Sequence, residues 1–290
     1  MNALAADHAA CAELLRGSGS NFDLPIRLLP AEKRRGTTAL YAFCRRADDI
    51  VDDATDATAA RARLDAFENS LAAAVAGAPA DDAVIRALVD TVRRFAVPVV
   101  HLHEIIAGVR MDLDQQAYAT FADVEQYCRR VAGAVGLAAI HIWGFRTPEA
   151  IPASHACGLA FQLTNILRDI PEDLGRGRIY LPFEDFAACG CTPGDLRAGR
   201  IGGGFRQLAS LNLARADASY REARSLDGML STDGRIVFRA MFGVYRAMLE
   251  AVRRAGVGIF TSRVRPSRPL LLGSAVATVL AGTRRRRFLL

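Results

Sequence analysis

Lysine is almost missing from this chain: Lys33 is the only one in 290 residues, and tryptophan also occurs once, at Trp143. Nearly all positive charge therefore sits on arginine. An arginine- and alanine-rich composition also follows from GC-rich coding, so the arginine total by itself argues for no function. Six cysteines (Cys11, Cys44, Cys128, Cys157, Cys189, Cys191) are scattered without a CxxC pair or a His/Cys array. That pattern argues against a zinc module or a disulfide framework and fits reduced packing residues in a cytoplasmic protein. The N-terminal stretch MNALAADHAACAELL lacks the basic region and long apolar core of a secretory signal. No apolar run reaches the roughly 20 residues that a bilayer span needs. The nearest, Leu270 to Gly282, is short and is followed by Arg284–Arg287. Also missing are GxSxG, GxxxxGK[ST] and HExxH motifs. His101 and His103 are two apart, which on a helix turns them to different faces. The net charge of +6 is spread along the chain with no recognisable binding motif, so nucleic acid is not expected as a partner.

What is present is a helical pattern. Hydrophobic residues make up 51% of the chain and recur at threes and fours. Leu64, Phe67, Leu71 and Val75 form one stripe, and Val84, Leu88 and Val92 another that leads to Phe95. Proline and glycine punctuate the helices at Pro30, Gly77–Pro79, Pro98, Pro148, Pro152, Pro182 and Gly190–Gly194. Gly199–Gly204 reads as a loop rather than a domain linker, because periodicity resumes at Phe205. No hairpin chemistry or internal repeat stands out. The expectation is one all-α domain over 1–269 with an apolar-basic tail at 270–290.

Two acidic clusters interrupt this pattern. The first, Asp48-Asp49-Ile50-Val51-Asp52-Asp53, closes an apolar helix that contains Tyr41 and Arg45. Asp48 and Asp52 share one face, as do Asp49 and Asp53, and like charges at that spacing repel unless a cation neutralises them. The second is a ridge formed by Gln162, Asn165, Asp169 and Asp173, flanked by Phe161, Leu163, Ile166 and Leu167. An amphipathic surface helix gives the same periodicity. Carboxylates without lysine partners nevertheless suit a hard cation such as Mg²⁺, which prefers oxygen ligands. Pro171 interrupts the ridge and is expected to kink it. Beyond it, Arg176 and Arg178 alternate with glycines in a loop suited to phosphate oxygens. Two acidic ridges on facing helices beside such a loop make a di- or triphosphate the natural anion.

These residues resemble a known family. Ser20-Asn21-Phe22, Arg27–Pro30 and Tyr41 through Asp53 look like the first signature of squalene and phytoene synthases, and Phe161 through Pro182 resembles the second. Gly108–Leu113 and Tyr127–Leu137 also match, and the likeness covers about residues 18 to 265. Val131–Leu137 and Ile142–Phe145 look most like presqualene diphosphate synthases of squalene and hopanoid pathways. Two departures concern the N-terminal lid: Asp23 stands where the family commonly has an aromatic, and Asn21 where serine is frequent.

The resemblance implies an isoprenoid synthase fold, with helices around a central apolar cavity, and a prenyltransferase activity. The implied reaction is Mg²⁺-dependent head-to-head condensation of two farnesyl diphosphates to presqualene diphosphate, with Mn²⁺ as a substitute and without NADPH. Its competitors are a phytoene synthase using geranylgeranyl diphosphate, a squalene or dehydrosqualene synthase, and a non-catalytic membrane-associated scaffold. Carried over by position, Asp48, Asp52, Asn165, Asp169 and Asp173 would hold the metal. Tyr41, Arg45, Arg168, Arg176, Tyr245 and Arg263 would contact diphosphate, with Arg265 as the alternative to Arg263. Phe22, Gln162 and Tyr180 would line the reacting centre, and Val131, Val135, Gly136 and Leu159 the channels for the tails. The apolar-basic tail suggests peripheral contact with the inner face of a membrane, where downstream isoprenoid enzymes would be partners. A final core helix with a solvated basic end explains the same residues.

Overall fold

The computed structural model describes residues 3–54, 56–114 and 117–287, with side chains through Ala281. Its elements are helical in the order α1 (Ala3–Gly17), α2 (Asp23–Ile26), α3 (Ala31–Asp52), α4 (Ala57–Val75), α5 (Ala83–Phe95) and α6 (Val99–Asp114). There follow α7 (Phe121–Cys128), a π turn (Arg129–Gly133), α8 (Ala134–Trp143), α9 (Ala150–Gly175), α10 (Phe183–Ala188) and α11 (Pro193–Arg197). The chain ends with α12 (Gly203–Ala223), α13 (Leu226–Met229), α14 (Thr232–Ala255), a 3₁₀ turn (Gly256–Phe260) and α15 (Arg268–Arg287). Two isolated bridges are the only β pairings among the described residues.

Local chemistry sets many of these boundaries. Asp56 caps α4 by accepting from the Thr58 and Ala59 amides, and Asp82 caps α5 through Val84 and Ile85. Thr120 with Asp123, and Thr192 with Asp195, form capping boxes at α7 and α11. Each satisfies donors that a helix start leaves free. The stripes seen in the sequence are the buried ones: Leu64, Phe67 and Leu71 on α4, and Val84, Leu88 and Val92 on α5. Burying such side chains contributes about 1.5–3 kcal/mol each.

α3 is surrounded by α1, α4, α5, α6 and α8, and α9 packs on α8, α12, α14 and the π turn. Between α3, the π turn with α8, α9 and α14 lies a cavity of 350 Å³. One wall depends on a backbone contact. A Cβ on Gly158 would lie 2.7 Å from Gly133 Cα and N, so α9 and the π turn touch without side chains between them. The π turn widens the helix locally, a feature frequent at functional sites, and brings Val131 and Ala132 to the cavity. Pro171 lies inside α9, which continues to Gly175, and the loop after it folds back through the Arg178 amide to the Asp173 carbonyl at 2.8 Å.

Helix α15 (Arg268–Arg287) packs on α14. Leu271 and Ala275 of α15 are buried, and a Cβ on Gly243 of α14 would meet the Ser274 carbonyl at 2.5 Å. Leu270, Leu272, Val276 and Leu280 remain exposed. The side chains of Arg284–Arg287 and all of Phe288–Leu290, which the tail reading invoked, lie outside the described residues. None of the described helices is long and apolar enough to cross a membrane.

Candidate active site

The cavity is apolar over most of its length and polar at one end. Along α3 its lining runs Thr37, Leu40, Tyr41, Cys44, Arg45 and Asp48. Along α9 it runs Ser154, Cys157, Gly158, Phe161, Gln162 and Asn165, a single face at threes and fours. Val131, Val135 and Gly136 line it as expected. Leu159 does not: one residue past Gly158, it is turned about 100° off that face and packs into the core. Phe22 and Tyr245 also line the cavity, in a stack continued by Phe161. The Phe22–Tyr245 ring centroids are 5.5 Å apart and those of Tyr245 and Phe161 4.1 Å.

At the polar end two carboxylate groups converge, each held by arginine. Asp52 accepts from Arg176 at 3.0 Å and Arg178 at 3.1 Å, so the loop arginines meet the first acidic cluster. Asp169 is paired with Arg168 at 2.5 Å and with Arg263 at 2.9 Å. Arg263 also reaches Glu172 at 3.0 Å, whereas exposed Arg265 stays 3.8 Å from it, which favours Arg263 as the residue of this site. Arg45 turns to Asp49 at 2.7 Å. The Tyr41 hydroxyl donates to Ser18 Oγ at 2.8 Å, and Ser18 donates on to the Leu15 carbonyl. Asp23, the departure near the lid, pairs with Arg27 at 2.7 Å on the exposed side of α2.

Of the carboxylates in the two ridges, Asp48 and Asp173 are held by no arginine ion pair among the described residues. Asp48 faces the cavity, and surrounding protein with Asp52 and Asp112 pushes its pKa up to about 7, against the pull of Arg45. Burial and Asp169 push Asp173 up to about 7 as well, against Arg178 and Arg176. Both shifts come first from burial and then from neighbouring carboxylates.

Asp112 on α6 is a participant that the sequence reading overlooked. It accepts from the Tyr180 hydroxyl at 2.7 Å and from Tyr127 at 3.3 Å, and its charge is felt by both Asp48 and Asp173. Burial raises its own pKa despite those bonds. It lies in the Gly108–Leu113 segment that resembles the family, but its acid between Met111 and Leu113 gave no role by itself. Tyr180 is therefore displaced from its expected role. It does not line the cavity but stacks with Tyr127, centroids 4.9 Å apart, and holds Asp112.

The donor set suits a divalent cation. The Asn165 side-chain oxygen is buried without a hydrogen-bond partner, an acceptor left waiting among carboxylates of surplus charge. Among the described residues no three Asp, Glu, His or Cys side chains converge on one point. Ions held here would thus complete their shells with water and substrate oxygens, as Mg²⁺ commonly does.

The chain is similar to known proteins in sequence and fold. The profile of the family described as squalene/phytoene synthase matches residues 15–269. The chain is 36% identical to a 15-cis-phytoene synthase of Synechococcus elongatus, over 87% of this chain and 86% of that protein. Its fold matches the crystal structure of squalene synthase HpnC from Alicyclobacillus acidocaldarius with a TM-score of 0.81 and 33% identity, covering 87% of this chain and 95% of that one. A dehydrosqualene synthase solved in complex with ligand matches with a TM-score of 0.86 at 27% identity, covering 97% and 98%.

Proposed function

Because the chain belongs to the squalene/phytoene synthase family and is a prenyltransferase, we propose that it joins two farnesyl diphosphates head to head into presqualene diphosphate, with residues 1–269 as its catalytic unit. The observation that carries the chain length is the depth of the cavity. Its lining on α3 runs from Asp48 back to Thr37, about 16 Å at 1.5 Å per residue. At about 1.25 Å of advance per carbon–carbon bond, an extended 15-carbon farnesyl chain reaches about 14 Å and a 20-carbon chain about 19 Å. This span supports the shorter chain. The likeness of Val131–Leu137 to presqualene diphosphate synthases supports the product.

The residues fit the chemistry. Mg²⁺ held by Asp48, Asp52, Asn165, Asp169 and Asp173 would neutralise charge on the diphosphates. Arg176, Arg178 and Arg263, now paired to carboxylates of the same cluster, would stabilise the departing diphosphate. The C1–O bond of one substrate breaks, and diphosphate leaves with the electron pair. The alkene of the second substrate attacks the allylic cation, and loss of a proton closes the cyclopropane ring. The ring surfaces that this aromatic stack turns to the cavity stabilise the cation, and the apolar lining keeps water from capturing it. Departing diphosphate accepts the proton. Tyr41, whose own proton is committed to Ser18, orients it.

The test is product analysis with Mg²⁺ and each of farnesyl and geranylgeranyl diphosphate, with and without NADPH. Presqualene alcohol seen only after phosphatase, and independent of NADPH, is the expected result. Phytoene from the longer substrate, the activity named for the cyanobacterial relative, would replace it; no product from either would leave a non-catalytic scaffold.

Peripheral membrane contact is proposed for α15. Leu272, Val276 and Leu280 form an exposed apolar edge, and after Glu250 the sequence has nine arginines and no acidic residue. This chemistry fits an anionic lipid surface, in which such substrates and products partition. Flotation with anionic but not neutral vesicles, weakened by deleting residues 284–290, is the expected outcome; equal flotation with both would remove the idea.

A further inference from the structure

At the end of the cavity remote from the carboxylates, three distant segments are fastened around one indole. The Trp143 Nε1–H donates to Thr37 Oγ1 at 3.1 Å, and the Thr37 hydroxyl donates to the Lys33 carbonyl at 2.8 Å. Lys33, the chain's single lysine, donates its ammonium to the Trp143 carbonyl at 2.7 Å and to Ser231 Oγ at 3.3 Å, and pairs with Asp233 at 3.2 Å. The Ser231 amide donates to the Gly144 carbonyl at 2.8 Å. On its other side the Trp143 Cβ lies 2.9 Å from where a Cβ on Gly234 would stand. The indole is buried and lines the cavity together with Leu226 and Phe238.

We propose that Trp143 is the stop that sets the length of prenyl chain this enzyme accepts, and that Lys33 and Thr37 are positioning residues that hold it there. The inference rests on the prenyl diphosphate reading above and adds the side chains that decide between chain lengths. An aliphatic floor yields to a longer chain by changing rotamer. This floor cannot do so cheaply, because turning the ring strands its buried N–H without an acceptor. Its backbone is fixed as well, since the Lys33 ammonium bridges the end of α8 to the start of α14. Four more carbons along the spine then have nowhere to go, and the cost falls on binding of the whole substrate.

The experiment compares kcat/KM for farnesyl and geranylgeranyl diphosphate, with Mg²⁺, in the wild type and in Trp143→Ala, Trp143→Leu and Thr37→Val, with products identified by mass spectrometry. Hydrophobic pockets discriminate by factors of about 10–200 per methylene-sized difference. Trp143→Ala is therefore expected to shift the ratio toward the longer substrate by about tenfold or more, with Trp143→Leu intermediate and Thr37→Val shifting it by a smaller factor in the same direction. A merely structural role would lower both rates and leave the ratio unmoved. If folded Trp143→Leu keeps the wild-type ratio, the stop is refuted even where Trp143→Ala fails to fold. A wild type that condenses neither substrate refutes the proposed function, and the stop with it. A wild type already favouring the longer chain refutes the stop while leaving the family chemistry standing.

Discussion

The contact between Gly158 and Gly133 gives a direct measure of how tightly the site is framed. A Cβ added at Gly158 would stand 2.7 Å from two backbone atoms of Gly133 and 2.8 Å from the Ala132 carbonyl carbon. Ordinary contact begins near 3.4 Å, so α9 must retreat from the π turn by about 0.7 Å, and no side chain can swing aside to absorb it. Overpacking of this kind costs about 3 kcal/mol when backbone is the obstacle, and alanine's better helix propensity returns about 1 kcal/mol. The net loss of about 2 kcal/mol corresponds to a fall in Tm of about 3 °C for a chain of this size. The same retreat carries Gln162 and Asn165 away from Val131 and Asp48, and a displacement approaching 1 Å costs up to about 10²-fold in rate. Gly158→Ala is to be compared with Gly175→Ala, where nothing lies within 4 Å of the added carbon. Calorimetry and product formation should show both losses in the first variant and neither in the second. Equal Tm and rate for Gly158→Ala and the wild type would refute the packing argument.

Asp48 and Asp173, each with a folded pKa near 7, hold protons that the unfolded chain releases near pH 4. Their contribution to stability is therefore present at low pH and lost as pH rises from about 4 through 7. Metal-free protein should melt at lower temperature at pH 8 than at pH 5.5, and Mg²⁺ should raise Tm more at the higher pH; an increment independent of pH would contradict this. Arg178→Gln removes a largely covered cation that faces Asp52, Asp112 and Asp173. It should lower kcat/KM by about 10²-fold, against about tenfold for the more exposed Arg176→Gln, measured as diphosphate release. Arg263→Gln should likewise reduce activity while Arg265→Gln leaves it within about twofold, since only Arg263 touches both Asp169 and Glu172 within 3.0 Å. Tyr180→Phe, which takes one of two donors from Asp112, should cost about 1–2 kcal/mol in urea unfolding, and no change would mean Tyr127 alone satisfies the carboxylate.

Much of this site was legible along the chain because helical periodicity is local. A spacing of four residues puts Asp48 with Asp52, and Asn165 with Asp169 and Asp173, on common faces whatever else the chain does. The stripes on α4 and α5 and the cavity face of α9 follow from the same rule. Leu159 escaped it only because adjacent apolar residues on a helix lie on different faces and nothing local says which one meets the cavity.

What the sequence alone determined, then, is the set of helices, their apolar faces and the two acidic ridges with their family likeness. What the tertiary structure decided is which charges meet. Asp52 is tied to arginines 124 and 126 residues away, Asp112 arrives from α6 between both ridges, and Tyr180 leaves the cavity to hold it. The cavity's depth is likewise decided by a hydrogen bond from Trp143 to Thr37, 106 residues apart. Such pairings depend on how helices cross and how closely their backbones approach, as at Gly158, and no window along one helix carries that information.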